Sequence, residues 1–237
     1  MATITDAERR VLLSNPWFAS LGAPELDGLI ELAQRRTLAQ DEVVYRRGDD
    51  FRDGLFIVLD GSVRISGTSP DGREAVFTFM QPGNLFAEVS VFDGGSRSHD
   101  ATAHLPTELL NVSTARVEAL LEKYPGLCRS FLTLANQRLR LVMTMAESYV
   151  NRSLEQRFAA RIATLGLVYG SRTANGVEIS LHLPQETLGQ LAGASRQRVN
   201  QLLKAWEKDG LIEQHYGRIV ILDIGRLERL AEPYVII

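Results

Sequence analysis

The sequence predicts an α+β protein in which a β-rich N-terminal part, one long helix and a smaller, mainly helical C-terminal part follow one another. Three observations support this fold class. Short apolar runs separated by glycine turns fill residues 37–112, no proline or glycine interrupts residues 127–149, and helix-start signals return after Asn151. With 237 residues, of which 45% are hydrophobic, the chain is long enough for two domains that each bury a core.

The composition excludes several classes of protein. The single cysteine, Cys128, excludes an intramolecular disulfide and a zinc or iron–sulfur site built from several cysteines of this chain. The longest stretch without charged residues, 11–24, is too short for a membrane span and contains Pro16, so we expect a cytoplasmic protein. The formal charge of −3, taken alone, argues against a nucleic-acid partner.

The N-terminal part shows the texture of an antiparallel sheet. Its apolar runs are rich in Val, Ile and Phe, which favour strands. Asp60-Gly61 and Asp71-Gly72 separate the runs, and both are hairpin dipeptides because glycine adopts a positive φ without steric cost. Short strands at near-regular spacing predict a sandwich or a roll. The runs are residues 55–59, 63–66 and 75–79.

From Ser113 onward the apolar period becomes helical. Ser113 is placed to cap a short helix, and Pro125 ends that helix and suits the first turn of the next one. The next helix, 127–149, would be about 35 Å long at 1.5 Å per residue. Residues on it recur at alternating steps of four and three, which predicts a self-pairing coiled-coil seam; a core helix of one subunit is the alternative. The seam residues are Phe131, Ala135, Arg138, Val142, Met145 and Tyr149.

A second boundary falls at residues 151–153. Ser153, followed three positions later by Gln156, matches a capping box, so a new helix begins there. From Asn151 onward there are 11 Lys and Arg against 9 Asp and Glu, a balance of +2 that leaves −5 for the rest of the chain. We therefore expect N-terminal helices and a β-domain in 1–113, a short and a long helix in 114–150, and a C-terminal domain in 151–237.

The C-terminal part contains the most informative pattern of the chain. A short helix at 185–192 is followed by a Gly-Ala turn at 193–194, and Ser195 caps a second helix. Beyond it, two short strand-like segments flank Tyr216-Gly217 and predict a hairpin. The whole pattern is that of a helix-turn-helix followed by a β-wing.

The second helix of this pattern has one apolar and one polar face. A helix fits the major groove of DNA, and its N-terminal residues reach base edges. From Ser195 to Lys208 there are four basic residues against one acid, so the helix is locally +3. We therefore predict DNA binding, against the alternative of a generic two-helix corner with a solvated face. The apolar face is Val199, Leu202, Leu203 and Trp206, and the polar face is Arg196, Gln197, Arg198, Gln201 and Lys204.

Two segments resemble the cyclic AMP receptor protein family of bacterial transcription regulators, also called CRP/FNR. They are AGASRQRVNQLLKAWEKDGLI and PGNLFAEVSVFDGGSRSHDAT, and the similarity extends over nearly the whole chain. The resemblance implies a β-roll like a cyclic-nucleotide-binding domain, a long central dimerisation helix and a C-terminal winged helix-turn-helix. It also implies a homodimer that binds a palindromic operator in double-stranded DNA under the control of a small effector, with RNA polymerase as a further partner.

The resemblance assigns roles to the polar face of the second helix. Arg196 matches the family arginine that reads a guanine. Gln197 stands where the best-known member has Glu, and Gln201 where it has Arg; because glutamine prefers adenine, we expect a different half-site. Ser195, Arg198 and Lys204 are expected to position phosphates.

The resemblance also assigns an effector pocket. Arg97 with Ser98 matches the residues that hold a cyclic phosphate, and Glu88 matches the residue that binds the ribose hydroxyl. The alternative is that Glu88 and Arg97 pair with each other in a closed loop. Val142 and Met143, or Ala146 and Glu147 in a second register, stand where cyclic AMP binders place a Thr-Ser pair.

Departures from the family pattern leave the effector open. Ala87 replaces a glycine before Glu88, His99 follows Ser98 where a small residue is usual, and Asp100 would repel an anion if it pointed inward. Without the Thr-Ser pair a buried purine would lose hydrogen bonds, at about 1–3 kcal/mol for each unsatisfied group. The effector could therefore be cyclic AMP, cyclic GMP or cyclic di-GMP, or the protein could act without an effector. We expect no metal or covalent cofactor.

Other function classes find less support. The sequence contains no G-x-S-x-G, P-loop or H-E-x-x-H motif, so we expect no enzymatic activity. A cyclic-nucleotide-binding regulatory module that does not act on DNA would explain the roll but not the helix-turn-helix. The apolar tail 234–237 is expected to dock on its own subunit.

Overall fold

The computed structural model describes residues 4–215 and 217–231, with the side chain of Tyr149 also left undescribed. The predicted role of Tyr149, the turn residue Tyr216 and the tail 234–237 therefore lie outside the described parts. The chain divides into two compact units: the first runs to Leu139 without 74–76, and the second contains 74–76 and continues from Arg140. Within the described ranges, no helix combines the length and the apolar character that a membrane crossing requires.

The first unit begins with three short helices that cover one face of a β-roll. The first helix starts at a capping box in which Glu8 N donates to Thr5 Oγ1 and Thr5 N donates to Glu8 Oε2. The helices pack on strand residues such as Leu55 and Ile57, and this apolar contact forms the first core. The helices are α1 (Asp6–Ser14), α2 (Pro16–Ala19) and α3 (Ala23–Leu32).

The roll consists of two four-stranded antiparallel sheets, ordered β1-β8-β3-β6 and β2-β7-β4-β5. Successive side chains of β3 point to opposite faces, so Phe56 and Val58 enter a second core between the sheets while Leu55 and Ile57 face the helices. The strands are β1 (Gln34–Leu38), β2 (Val43–Tyr45), β3 (Leu55–Asp60), β4 (Val63–Thr68), β5 (Glu74–Met80), β6 (Leu85–Phe86), β7 (Asp100–Ala103) and β8 (Thr107–Val112).

The turn between β3 and β4 requires the glycine that the sequence predicts. Gly61 has φ +81°, and a Cβ atom there would lie 2.2 Å from the carbonyl oxygen of Pro106. The predicted antiparallel roll is therefore confirmed, and so is the hairpin at Asp71-Gly72, which joins the neighbouring strands β4 and β5. The hairpin predicted at Asp60-Gly61 is wrong, because this turn leads from β3 in one sheet to β4 in the other.

Three helices complete this region: α4 (Glu88–Asp93), α5 (Thr114–Lys123) and α6 (Gly126–Asn151). The α6 helix carries two stripes that both have the four-and-three spacing. One stripe packs on its own roll: Phe131 is 4% exposed, and its ring lies 4.9 Å from Trp17 and 4.7 Å from Phe92. The assignment of Phe131 to a seam between subunits is therefore wrong, because this side chain belongs to the first core.

The other stripe of α6 is exposed to solvent in the single chain. Of the predicted seam, Ala135 and Val142 belong to it, whereas Met145 is half-buried and Arg138 forms an ion pair with Glu88. The exposed stripe is Cys128, Leu132, Ala135, Leu139, Val142 and Ala146. We call these six residues the α6 outer stripe.

The second unit is a winged helix-turn-helix with a four-stranded sheet ordered β11-β12-β10-β9. The predicted capping box is confirmed, since Gln156 N donates to Ser153 Oγ and Ser153 N donates to Gln156 Oε1. The elements are α7 (Leu154–Tyr169), β9 (Gly170–Thr173), β10 (Gly176–Ile179), α8 (Gln185–Ala192), α9 (Arg196–Lys208), β11 (Ile212–His215), β12 (Arg218–Ile221) and α10 (Ile224–Ala231).

Candidate functional site

The first part of the site lies where β6 passes into α4. Ala87, at the helix N-cap, has a left-handed backbone (φ 72°, ψ 10°), and this turn directs Glu88 into the roll, where it is 4% exposed. One oxygen of Glu88, Oε1, accepts a hydrogen bond from Arg138 of α6, whose other terminal nitrogen donates to Leu85 O. The second oxygen, Oε2, is buried and finds no hydrogen-bond partner within the described ranges.

Arg97 is also turned into the roll and is 2% exposed. Its NH1 donates to Ala87 O at 2.8 Å, and its NH2 donates to the Asp53 carboxylate and to Gly54 O. The guanidinium carbon lies 4.6 Å from the centre of the Tyr45 ring, within the range of a cation–π contact. Like Glu88 Oε2, Arg97 Nε is buried and lacks a partner among the residues that the structure describes.

Tyr45 lies close to all four of these charged side chains. Burial raises the pKa of its hydroxyl; positive Arg97 and Arg138 oppose this, and negative Glu88 and Asp53 add to it. The cluster contains two cations and two anions, so its formal charge is zero. This balance is the condition under which buried charges are tolerated.

The structure therefore corrects the alternative in which Glu88 and Arg97 pair with each other. Glu88 binds Arg138, and Arg97 binds Asp53. Neither Asp53 nor Tyr45 was identified from the sequence, because strand spacing does not reveal which loops meet. The sequence did contain an indication that Arg138 has a partner, since it is a charged residue in an otherwise apolar stripe.

Ser98 and the two residues after it lie in a more exposed position. Ser98 Oγ is 2.9 Å from Nδ1 of His99, and the His99 ring meets Phe77 edge-on at 4.8 Å. Burial lowers the pKa of His99, with a further contribution from Arg47 and an opposing one from Asp100. Asp100 Oδ1 accepts a hydrogen bond from Arg47 N at 2.8 Å, so it links the start of β7 to the segment after β2 instead of pairing with Arg97.

The α6 residues that were predicted to contact the purine base of the effector lie beyond the point where the first unit ends. Val142 and Met143 are both exposed in the single chain, and the second register, Ala146 and Glu147, is exposed as well. Neither pair supplies the hydroxyl groups that the family pattern would place there.

The candidate nucleic-acid interface is built by α8, the turn after it and α9. Gly193 adopts φ +61° in that turn, and Arg198 N donates to Ser195 Oγ at 3.3 Å, so both sequence predictions hold. The apolar side of α9 is buried: Trp206 stacks on Phe158 with ring centres 5.3 Å apart. The polar side is exposed at Ser195, Arg196, Gln197, Arg198, Gln201 and Lys204.

A chain of side-chain hydrogen bonds crosses from α9 to the first residue of α8. Arg196 Nε donates to Gln185 Oε1 at 3.2 Å, and Gln185 Nε2 donates to Asn200 Oδ1 at 3.2 Å. Along α9 itself, Arg198 NH1 donates to Gln201 Oε1 at 3.4 Å. Sequence reasoning did not identify Gln185 or Asn200, because their meeting depends on the angle between the two helices.

The wing is the hairpin of β11 and β12. Its strands pair from Ile212 with Ile221 to His215 with Arg218, and Gly217, directly before β12, has φ +82°. Arg218 NH1 donates to Glu178 Oε1 at 2.9 Å, so a basic residue is fixed at the edge of the wing.

A roll with a buried, partly unpartnered Arg and Glu, joined in one chain to an exposed recognition helix, defines a DNA-binding transcription regulator with an effector domain. A cyclic nucleotide-binding domain model matches residues 35–124, and a Crp-like helix-turn-helix domain model matches residues 156–230. The chain belongs to the CRP/FNR family of transcription regulators.

Two curated relatives are similar over most of their length. The CRP-like cAMP-activated global transcriptional regulator of Mycobacterium tuberculosis is 29% identical over 179 residues, which cover 76% of this chain and 80% of the relative. The cyclic AMP receptor protein of Thermus thermophilus is 28% identical over 217 residues, which cover 92% of this chain and 97% of the relative.

Solved structures show the same fold. The c-di-GMP responsive global regulator CLP of Xanthomonas campestris matches with a TM-score of 0.74 and 22% identity, covering 85% of this chain and 100% of that one. The catabolite activator protein of Thermus thermophilus matches with a TM-score of 0.52 and 29% identity, covering 92% and 98%.

Proposed function

We propose that this regulator senses a cyclic nucleotide in its roll and, as a homodimer, binds palindromic promoter DNA. The observation that carries the first part is the pair of buried, unpartnered atoms. Arg97 Nε offers a hydrogen-bond donor and Glu88 Oε2 offers an acceptor. A phosphodiester oxygen suits the donor, and a ribose hydroxyl suits the acceptor, so one cyclic nucleotide satisfies both.

Cyclic AMP is the first candidate because both similar relatives carry it in their names. Cyclic GMP and cyclic di-GMP are the other candidates, since Val142 and Met143 give no hydroxyl that would select adenine. Effector-independent DNA binding is the alternative, and it is favoured by the fact that Asp53 and Arg138 already neutralise Arg97 and Glu88. No catalytic step belongs to this proposal.

Calorimetric titration of the full chain with each of the three nucleotides tests the sensor. We expect saturable binding of at least one, and Arg97→Lys is expected to weaken it at least tenfold because lysine cannot donate in the guanidinium geometry. Arg52→Lys is the matched control: its side chain is 86% exposed and pairs with Asp50 outside the cluster. It is expected to leave binding unchanged.

Two outcomes would overturn this assignment. If none of the three nucleotides binds and DNA binding is tight without them, the regulator is effector-independent. If a nucleotide binds equally well to the wild type and to Arg97→Lys, Arg97 does not hold its phosphate. Circular dichroism of each variant shows whether the roll is still folded.

The proposed dimer uses the α6 outer stripe. Leu132, Leu139 and Val142 are each more than half exposed in the single chain, which is costly for aliphatic side chains that line up at seam spacing. Cys128 lies on the same stripe, so in a parallel pairing the two Cys128 side chains would face each other. A short bis-maleimide is then expected to crosslink the wild type into dimers but not Cys128→Ser.

On DNA, we propose that Arg196, Gln197 and Gln201 read bases while Ser195, Arg198 and Lys204 contact phosphates. All six are exposed on one side of α9, as groove entry requires. Glutamine at two reading positions favours adenine, so a binding selection should return a half-site different from that of the best-known family member. Promoter binding implies a cytoplasmic location and action on RNA polymerase, which in vitro transcription would measure.

A further inference from the structure

Arg196 makes its hydrogen bond to a residue outside its own helix. Its Nε donates to Gln185 Oε1 at 3.2 Å, and Gln185 is the first residue of α8. The terminal nitrogens NH1 and NH2 have no partner within the described ranges, although the side chain is exposed. The bond to Gln185 therefore holds one edge of the guanidinium and leaves its two-pronged end free.

The Gln185 amide is itself held in one orientation. Arginine has donors only, so Gln185 has to present its oxygen to Arg196 and its NH₂ group to the other side. There, Gln185 Nε2 donates to Asn200 Oδ1 at 3.2 Å, and both Gln185 and Asn200 are half-buried. Asn200 lies one turn after Arg196 on α9, so the three side chains form a closed link between the two helices.

This link favours one use of Arg196. An arginine reads guanine by donating two parallel hydrogen bonds to O6 and N7. A free arginine loses its rotamer freedom when it binds, whereas an arginine already held at Nε loses less of that freedom on binding. A wrong base then meets a guanidinium that is not free to move to another partner, so discrimination rises along with affinity.

We propose that Gln185 is a positioning residue that makes Arg196 selective for guanine, with Asn200 fixing the orientation of the Gln185 amide. This inference rests on the proposed function, because it requires that Arg196 reads a base. It adds a specificity determinant on α8, the helix that does not enter the groove.

The test begins with the operator that binding selection returns. Arg196→Ala identifies the guanine of that operator at which this variant loses base discrimination. Three further duplexes then carry adenine, cytosine or thymine in place of this guanine. Fluorescence anisotropy gives the affinity of each full-length variant for all four duplexes. Gln185→Ala is expected to lower the preference for guanine about three- to tenfold, the factor that corresponds to ordering one arginine side chain. Asn200→Ala is expected to act in the same direction and more weakly.

The matched control is Glu186→Gln, which changes the neighbouring exposed residue in the same turn of α8. It is expected to shift all four affinities together and to leave the guanine preference unchanged. In the Arg196→Ala background, Gln185→Ala is expected to change the preference no further, which a merely structural role of Gln185 would not produce.

The results separate two kinds of failure. Equal weakening on all four duplexes by Gln185→Ala, or the same effect with and without Arg196, would show that Gln185 supports the fold or touches a phosphate, and would overturn the inference alone. If the wild type selects no operator, or if Arg196→Ala costs no discrimination at any position, the base-reading part of the proposed function fails and the inference fails with it.

Discussion

Ala87 shows how one residue shapes the candidate effector site at an energetic cost. A left-handed backbone at a non-glycine residue brings Cβ too close to the following carbonyl oxygen, at about 1–2 kcal/mol. The structure accepts this at Ala87 (φ 72°) because the turn directs Glu88 inward and lets Ala87 O accept from Arg97. The replacement of the family glycine was visible in the sequence, but the strain was not.

Ala87→Gly is therefore expected to stabilise the chain by about 0.5–1 kcal/mol, measured by urea unfolding followed by circular dichroism. Asp41→Gly is the matched control, since Asp41 is the other non-glycine residue with a positive φ (63°) in the described ranges. Aspartate tolerates this region better than alanine, so its gain should be smaller. An Ala87→Gly variant no more stable than Asp41→Gly would contradict the argument.

For single residues, the sequence predicts which charged side chains belong to the candidate pocket but not which of them pair. Glu88 and Arg97 were found because their spacing matches a family motif. Their partners, Asp53 and Arg138, come from a loop and a helix 44 and 50 positions away. Which carboxylate binds which guanidinium depends on how the strands and α6 pack. The local sequence around each residue does not indicate this packing.

Among the elements, α1 has an N-terminus whose stability depends on pH. The pKa of Glu8 is lowered from 4.5 to about 2. The main cause is a hydrogen bond from the Arg35 side chain, and the second is a hydrogen bond from Thr5 N. Because the pKa is lower in the folded state than in the unfolded chain, the contribution to stability is fully present above about pH 4.5. It is lost as the pH falls towards about 2.

Glu8→Gln keeps a hydrogen-bonding side chain at the capping position and removes the charge. At pH 7 it is expected to destabilise the chain by about 0.5–1 kcal/mol, as for a partly exposed ion pair, and by progressively less as the pH falls from 4.5 to 2. Chemical unfolding at several pH values measures this difference. A difference in stability between wild type and variant that stays constant over this pH range would contradict the lowered pKa of Glu8.

Helix α6 shows why an element can be predicted while its faces are not. The four-and-three spacing identified the helix and its seam period, yet two stripes one residue apart share that period. One stripe contains Phe131 and Arg138, and the other contains Leu132 and Leu139. Both stripes are apolar enough to be buried, so the sequence does not show which one is. Packing against the roll buries the first stripe and leaves the second exposed.

In the whole molecule, the proposed dimer joins two helix-turn-helix domains. Leu139 lies on the α6 outer stripe and is 55% exposed in the single chain. Leu139→Glu is expected to yield monomers in size-exclusion chromatography with light scattering, because two like charges would meet in an apolar seam. Operator affinity should then fall by about 10²-fold or more, since two half-sites are no longer bound as one unit.

Leu167→Glu is the matched control, because Leu167 is 57% exposed on α7 and lies off the α6 outer stripe. It should leave the mass and the operator affinity unchanged. A Leu139→Glu protein that remains dimeric would show that the chain pairs through another surface.

The order of the parts, the helix caps and the turn glycines could be predicted from the sequence alone. These depend on local preferences: Gly61 and Gly193 supply positive φ, Ser153 supplies a cap, and the polar face of α9 follows from its period. The division of charge, −5 before Asn151 and +2 after it, also corrected the impression that the total of −3 gives.

The three-dimensional structure was needed to show which side chains meet. It joined Arg97 to Asp53, Glu88 to Arg138 and Arg196 to Gln185, and it decided which stripe of α6 stays exposed. The physical reason is common to all four. Ion pairs and side-chain hydrogen bonds act over a few ångströms, and the approach of distant segments to that distance is set by the packing of the cores, not by the neighbours of a residue in the chain.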